Sequence, residues 1–333
     1  MSFWQAPSGL RQRPWQRPIP AWLATGCFLA AITALAELSG LRLLLFPELG
    51  ALTSVVFSDP AGRWARSPRL LVLTPLLSAV AGILVSRQLP YGPLSVLLAV
   101  AAGLLVLWGL RSPVAPALSA GYLPVALGIR SWTYPLAILL ALSALAALAW
   151  LWRRHPAGLE RVSSPLKAAD PLVAPGECAA PVAPRGSDVR FPPGRRLLEL
   201  ALFLVGALAL TRLLGSHLVL YPPLVVIAWE TLAQPEHCPW RGRPLALLVA
   251  TGSAAVVGLA LARTLGPVPL AAFGAALLTG LLLNRLRLTC PPVYAVALLP
   301  LVLPQPPLAL PLLVVVGGAW LVLVARGWPA RWR

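Results

Sequence analysis

The sequence predicts an all-α polytopic membrane protein of about 12 transmembrane or half-membrane helices in two parallel six-segment repeats. Three observations predict it. The 333 residues are 58% hydrophobic and only 11% charged, with a mean hydropathy of +0.80, whereas soluble domains carry roughly 25% charged residues. Several apolar runs approach or exceed the ~18 residues that mark a membrane helix. The second half of the chain also repeats the glycine, proline and arginine punctuation of the first.

The elements follow in order. Residues 1–20 form a basic, cytoplasmic N-terminus. The first repeat, 21–152, offers Ala21–Phe46, a short Pro47–Ser58, Arg69–Ser86, Gly92–Leu110, a short Pro116–Gly128 and Tyr134–Trp152. Residues 153–195 are rich in Pro, Ala, Gly and charge, which reads as a flexible cytoplasmic linker. The second repeat, 196–326, offers Arg196–Tyr221, a short Pro222–Ala233, Pro244–Arg263, Val268–Leu286, a short Pro292–Leu303 and Leu308–Ala325. A basic tail, 327–333, ends the chain.

Charge sets the orientation. The net charge is +17, and Arg outnumbers Lys 26 to 1. These cations punctuate apolar runs and do not cluster on a polar domain, so nucleic acid is not the expected partner; lipid is. If every segment crosses from a cytoplasmic N-terminus, only Arg42, Arg87, Arg130, Arg212 and Arg263 of the 27 Lys and Arg lie outside. That is the positive-inside asymmetry of an inner-membrane protein with both termini cytoplasmic.

The repeat is detailed. At an offset of 176, Gly82 meets Gly258, Arg87 meets Arg263, Arg111 meets Arg287, Pro116 meets Pro292, Pro124 meets Pro300 and Pro135 meets Pro311. Earlier in each half the offset is 175: Gly40 with Gly215, Pro47 with Pro222 and Pro60 with Pro235. Six crossings per half is even, so both halves enter from one side, and the axis relating them runs along the membrane normal.

Each half has two segments of about 12 residues, which at 1.5 Å per residue span ~18 Å of a ~30 Å hydrocarbon core. Pro47, Pro116, Pro222 and Pro292 open them. Proline suits a first helical turn, where its missing N–H would be unpaired anyway, so these prolines read as starts of short helices that end inside the membrane; the alternative is that they kink packed helices. Broken backbone at that depth survives only against protein or a wet cavity. Helix N-termini carry about half a positive charge and suit anions. Entering from opposite faces, the four would converge on a midplane cavity, the layout of secondary transporters.

Polar residues along these segments are the substrate-binding candidates: Thr53, Ser54 and Thr231 from the outer short helices, and Ser119, Cys290 and Tyr294 at the inner mouths. Arg111 and Arg287, five residues before the inner helices, either recruit an anion or anchor the cytoplasmic face. Glu37 and Arg212 are repeat-equivalent inside apolar runs, where ionisable groups are costly. They either pair across the pseudo-two-fold axis or each reach an interface or cavity alone. Glu230 is either a protonatable coupling residue or a partner for an arginine such as Arg243. Glu236, His237, Cys238 and Cys290 offer zinc-type ligands, but without a second spaced pair no metal is expected, and no cofactor either. No triad, Walker loop or dinucleotide fingerprint appears, so no enzyme is expected.

"RLTCPPVYAVAL", from Arg287, resembles the hallmark of the HPP family of integral membrane proteins, which reads like R-x-x-H-P-P-x-x-A-x-A-L. Arg287, Pro291, Pro292, Ala295, Ala297 and Leu298 match, and Cys290 stands where the family has His. Gly50, Ala51, Phe57 and Pro60 resemble a second family segment. In the first half Val114 replaces the His and Ala115 one proline. Each half thus looks like one HPP unit. Some HPP members are implicated in nitrite transport, so the resemblance implies a transporter or channel for a small inorganic, nitrite-like anion, through a cavity at the repeat interface. The rival expectation is a non-transporting membrane scaffold or assembly protein. Oligomerisation is open to either.

Overall fold

The computed structural model of the chain describes residues 20–59, 62–154 and 192–326. The N-terminus 1–19, the linker stretch 155–191, residues 60–61 (Pro60 among them) and the tail 327–333 lie outside the described residues. Within them the protein is all-α, with thirteen α-helices: α1 Ala21–Ser39, α2 Glu48–Ser58, α3 Arg63–Arg66, α4 Pro68–Gln88, α5 Pro93–Gly109, α6 Ala117–Leu127, α7 Thr133–Arg154, α8 Gly194–Leu213, α9 Pro222–Ala228, α10 Pro244–Thr264, α11 Pro269–Arg285, α12 Pro292–Val302 and α13 Leu310–Arg326. Four helices, α1, α4, α7 and α10, are long and apolar enough to cross a membrane; α8 is as long but carries Arg195, Arg196, Glu199 and Arg212, and the remaining apolar helices are shorter.

Two segments end earlier than expected. The runs expected to reach Phe46 and Tyr221 stop at Ser39 and Leu213. Gly40 (φ 73°) and Gly215 (φ 63°) follow, in the left-handed conformation that only glycine adopts cheaply. Each break leads into a short 3-10 turn, Arg42–Leu44 or His217–Leu220. The short segment after Pro222 also departs from a plain helix: α9 passes into a π-turn over Trp229–Ala233, with Gln234 N–H donating to the Trp229 carbonyl at 3.2 Å. This puts Glu230 and Thr231 on a widened turn.

Proline starts the short helices. Pro47 and Pro116 are the N-cap residues of α2 and α6, while Pro222 and Pro292 occupy the first turns of α9 and α12. All four helices are buried. Every residue is enclosed from Ala117 to Ala126, from Pro222 to Ala228 and from Pro292 to Leu301. A helix apolar on all sides has no solvent face and belongs at the centre. The longer helices wrap these four, with α4 and α5 on α6, and α10 and α11 on α12. The two halves meet through the short helices, α2 on α12 and α9 on α6, and through α1, which lies along α11.

Close packing at the centre rests on two glycines. A Cβ on Gly82 of α4 would lie 2.0 Å from the Gly121 carbonyl oxygen of α6, and one on Gly258 of α10 would lie 2.1 Å from the Ala297 carbonyl oxygen of α12. Backbone-to-backbone approach of this kind is how membrane helices gain van der Waals contact without a hydrophobic drive between them. Both glycines and both carbonyls are 176 apart, so one packing device is used twice.

Candidate functional site: the converging short-helix ends

The first turns of the short helices meet inside the protein. Ser119, in the first turn of α6, donates its hydroxyl hydrogen bond to Oε1 of Glu48, the first residue of α2. Gly50, two residues on from Glu48, lies against Tyr294 in the first turn of α12: a Cβ on Gly50 would sit 3.2 Å from the Tyr294 Cβ and 2.7 Å from a Leu298 methyl. Tyr122 of α6 crosses to the other half and donates to the Leu220 carbonyl, two residues before α9, at 2.9 Å.

Glu48 is the centre of this meeting, and the sequence reading passes over it. It is 1% exposed. Its Oε2 is buried and has no hydrogen-bond partner. The nearby Tyr134 hydroxyl is committed elsewhere, donating to the Ala120 carbonyl at 3.0 Å. A buried carboxylate is costly unless its charge is compensated. Here the compensation comes from position: Glu48 begins α2 and touches the first turn of α6, and an acid at a helix N-terminus is favoured by the free N–H groups and the dipole. The signal that could have found it is the one applied to Glu230, an acid inside a short apolar segment; behind Pro47, Glu48 resembles an ordinary helix-start residue.

The remaining candidates fall in several places. Thr53 and Ser54 are buried but spend their hydroxyls on their own helix, on the Leu49 and Ala51 carbonyls. Such back-bonding leaves no free donor for a ligand. Thr231 accepts from the indole N–H of the fully buried Trp240 at 3.0 Å. Cys290 is a buried free thiol, as is Cys238. Tyr294 is 8% exposed, with its hydroxyl beside Gly280 of α11. Glu230 is half-buried and forms no ion pair with Arg243, whose guanidinium donates to the Arg287 carbonyl at 2.7 Å. Glu236 is held by Arg196 in a bidentate pair, Nη1 to Oε2 at 2.9 Å. Among the described residues no group of three or more His, Cys, Asp and Glu is gathered for a metal.

Of the two readings of Glu37 and Arg212, a pair or each alone, the pair is not formed. Both residues are exposed, near the C-terminal ends of α1 and α8, and no ion pair joins them. Because each helix stops at its glycine, both side chains sit at an end, where a long polar chain reaches the interface without a partner.

Arg111 and Arg287 stand out by backbone. They are exposed and adopt φ of 46° and 48°, the two non-glycine residues with positive φ among those described. Each closes the preceding helix, α5 or α11, by the same pair of bonds. Arg111 N–H reaches Trp108 O at 3.0 Å and Ser112 N–H reaches Leu107 O at 2.9 Å; Arg287 N–H reaches Asn284 O at 3.1 Å and Leu288 N–H reaches Leu283 O at 2.9 Å. Glycine is the usual occupant of this turn. An arginine there carries roughly 1–2 kcal/mol of left-handed strain, and it does so in both halves. Residues held in strain cluster at functional positions.

Compared with known families, curated proteins and solved structures, the chain matches no family model, no curated protein and no solved structure.

Proposed function

We propose that the chain is a multi-pass inner-membrane protein of two parallel, HPP-like repeats that moves a small inorganic anion, nitrite-like in size and charge, between the repeats. The observation that carries this reading is the meeting of short-helix first turns around Glu48, Ser119, Gly50 and Tyr294. Electropositive helix ends brought together deep in an apolar protein favour one negative charge there. The duplicated Gly82 and Gly258 contacts and the duplicated strained arginines support the repeat. Arg111 and Arg287 would collect the anion at the cytoplasmic mouths, which gives a reason for arginine where glycine is cheaper.

Reconstitution into proteoliposomes tests this. Nitrite uptake should exceed that of protein-free vesicles and fall at least several-fold in Arg287→Ala. A scaffold is the second reading, favoured by the tight apolar contact of Gly50 with Leu298. It predicts vesicles no more permeable to nitrite, chloride or formate than the lipid alone.

A further inference from the structure

We propose that Glu48 is a tethered anion: its carboxylate occupies the seat made by the first turns of α2 and α6, and a small monovalent anion takes that seat only as Glu48 binds a proton. This rests on the anion reading above and gives it a coupling ion.

Charge balance is the basis. Each helix end contributes about half a positive charge, so the two together offset about one negative charge and not two. With Glu48 ionised, the offset is used by the protein itself. A second anion beside it would be a like charge in a low-dielectric site, which disfavours both being charged together. If Glu48 takes up a proton, the site again holds one negative charge, now on the solute. The exchange is of H⁺ and X⁻ together, with no bond made or broken except O–H on the carboxyl group. Oε2 is the atom ready to receive that proton, since Oε1 already accepts from Ser119 and Oε2 is buried without a partner.

The surroundings leave this role to Glu48. Among residues with described side chains, the titratable groups on the elements packed against α2 are Tyr122 on α6, Tyr134 on α7 and Tyr294 on α12, with Cys27 and Glu37 on α1, Arg66 on α3 and Arg154 on α7 all exposed. The Tyr122 and Tyr134 hydroxyls are committed to carbonyls. No ion pair reaches Glu48 among the described residues. The second half has no counterpart, since Pro223 and Ala295 stand where Glu48 and Ser119 stand in the first.

Infrared difference spectra of the reconstituted full chain provide the test, with sodium nitrite added at a series of pH values and sodium gluconate as a bulky control. Nitrite should raise a protonated-carboxyl band that is missing from Glu48→Gln. Nitrite affinity should rise about tenfold for each unit fall in pH while Glu48 is mostly ionised, as one-proton linkage requires, and should be flat in Glu48→Gln. Ser119→Ala should keep the band and shift its frequency. If Glu48→Gln does not fold, the wild-type band decides alone. A carboxyl band indifferent to nitrite, or an unchanged pH slope in Glu48→Gln, overturns the proposal. Nitrite flux with an indifferent Glu48 removes the tethered anion and leaves transport standing; a nitrite-responsive Glu48 with no flux supports the seat and removes transport.

Discussion

The two halves share a skeleton and differ in chemistry. Where backbones must touch they are the same: Gly82 and Gly258 each admit a carbonyl oxygen, and Arg111 and Arg287 close equivalent turns in equivalent strain. Where side chains face the centre they diverge. Glu48 and Ser119 correspond to Pro223 and Ala295, while Phe46 and Val114 correspond to Tyr221 and Cys290. They diverge again in how the first helix is placed. α1 lies along α11 of the other half, whereas its counterpart α8 barely touches α5 and packs on the 217–220 turn, the π-turn and α13. Two close contacts account for this: a Cβ on Gly280 would meet the Trp22 Cβ at 2.2 Å, and one on Gly26 would meet the Phe273 ring at 3.0 Å. The first-half residue corresponding to Gly280 is Leu104, a half-buried side chain packed against the core where the second half has none. The halves agree where backbones touch and differ at the site and in the outer helix.

The largest effect expected is symmetric. Gly82→Ala and Gly258→Ala each push a methyl group onto backbone oxygen, and each should cost about 3 kcal/mol or more, beyond the usual range for overpacking because backbone cannot step aside. Thermal unfolding in detergent checks this, and a large loss in only one of them breaks the equivalence. Next comes an asymmetric pair. Gly280→Leu should lever α1 from α11 at a cost of about 2–3 kcal/mol, while the reverse change, Leu104→Gly, should cost about 1–2 kcal/mol, from a helical glycine and the loss of a half-buried side chain, measured in the same assay. Ser119→Ala leaves Oε1 of Glu48 without its donor and should cost about 1–3 kcal/mol; Ala295→Leu in the other half serves as the apolar comparison, with loss by overpacking alone. The smallest effect runs the other way. Arg111→Gly and Arg287→Gly relieve left-handed strain and should each stabilise by about 1 kcal/mol, while lowering nitrite uptake. A stabilised variant with undiminished uptake would make both arginines mere anchors.

Much of the helix order is legible because membrane segments are written plainly: apolar runs give the cores, and proline gives the starts of α2, α6, α9 and α12. The two overlong segments came from reading hydropathy through Gly40 and Gly215, where backbone conformation overrules an apolar run. The site was far less legible. Ser119 lies 71 residues from Glu48, and nothing local in either stretch announces the other. Arg111 and Arg287 were found by repetition, but their strain is a property of φ and not of letters. Glu37 and Arg212 do not pair, one of the two outcomes that equivalence leaves open, and α1 and α8 do not occupy equivalent places.

The clasp of α1 on α11 has a consequence for biosynthesis. α1 is the first of the described helices to be made, yet the surface it finally covers is encoded about 230 residues downstream. At about 5–20 residues per second the face that α11 will cover waits tens of seconds against acyl chains, while α1 already has α2 beside it and the helices up to α10 are added. Trp22, Gly26 and their neighbours must therefore be stable twice, first against lipid and later against Phe273 and Gly280. Insertion of α1 and its final docking are separate events, and a lesion in α11 should show up as a correctly inserted chain that never closes.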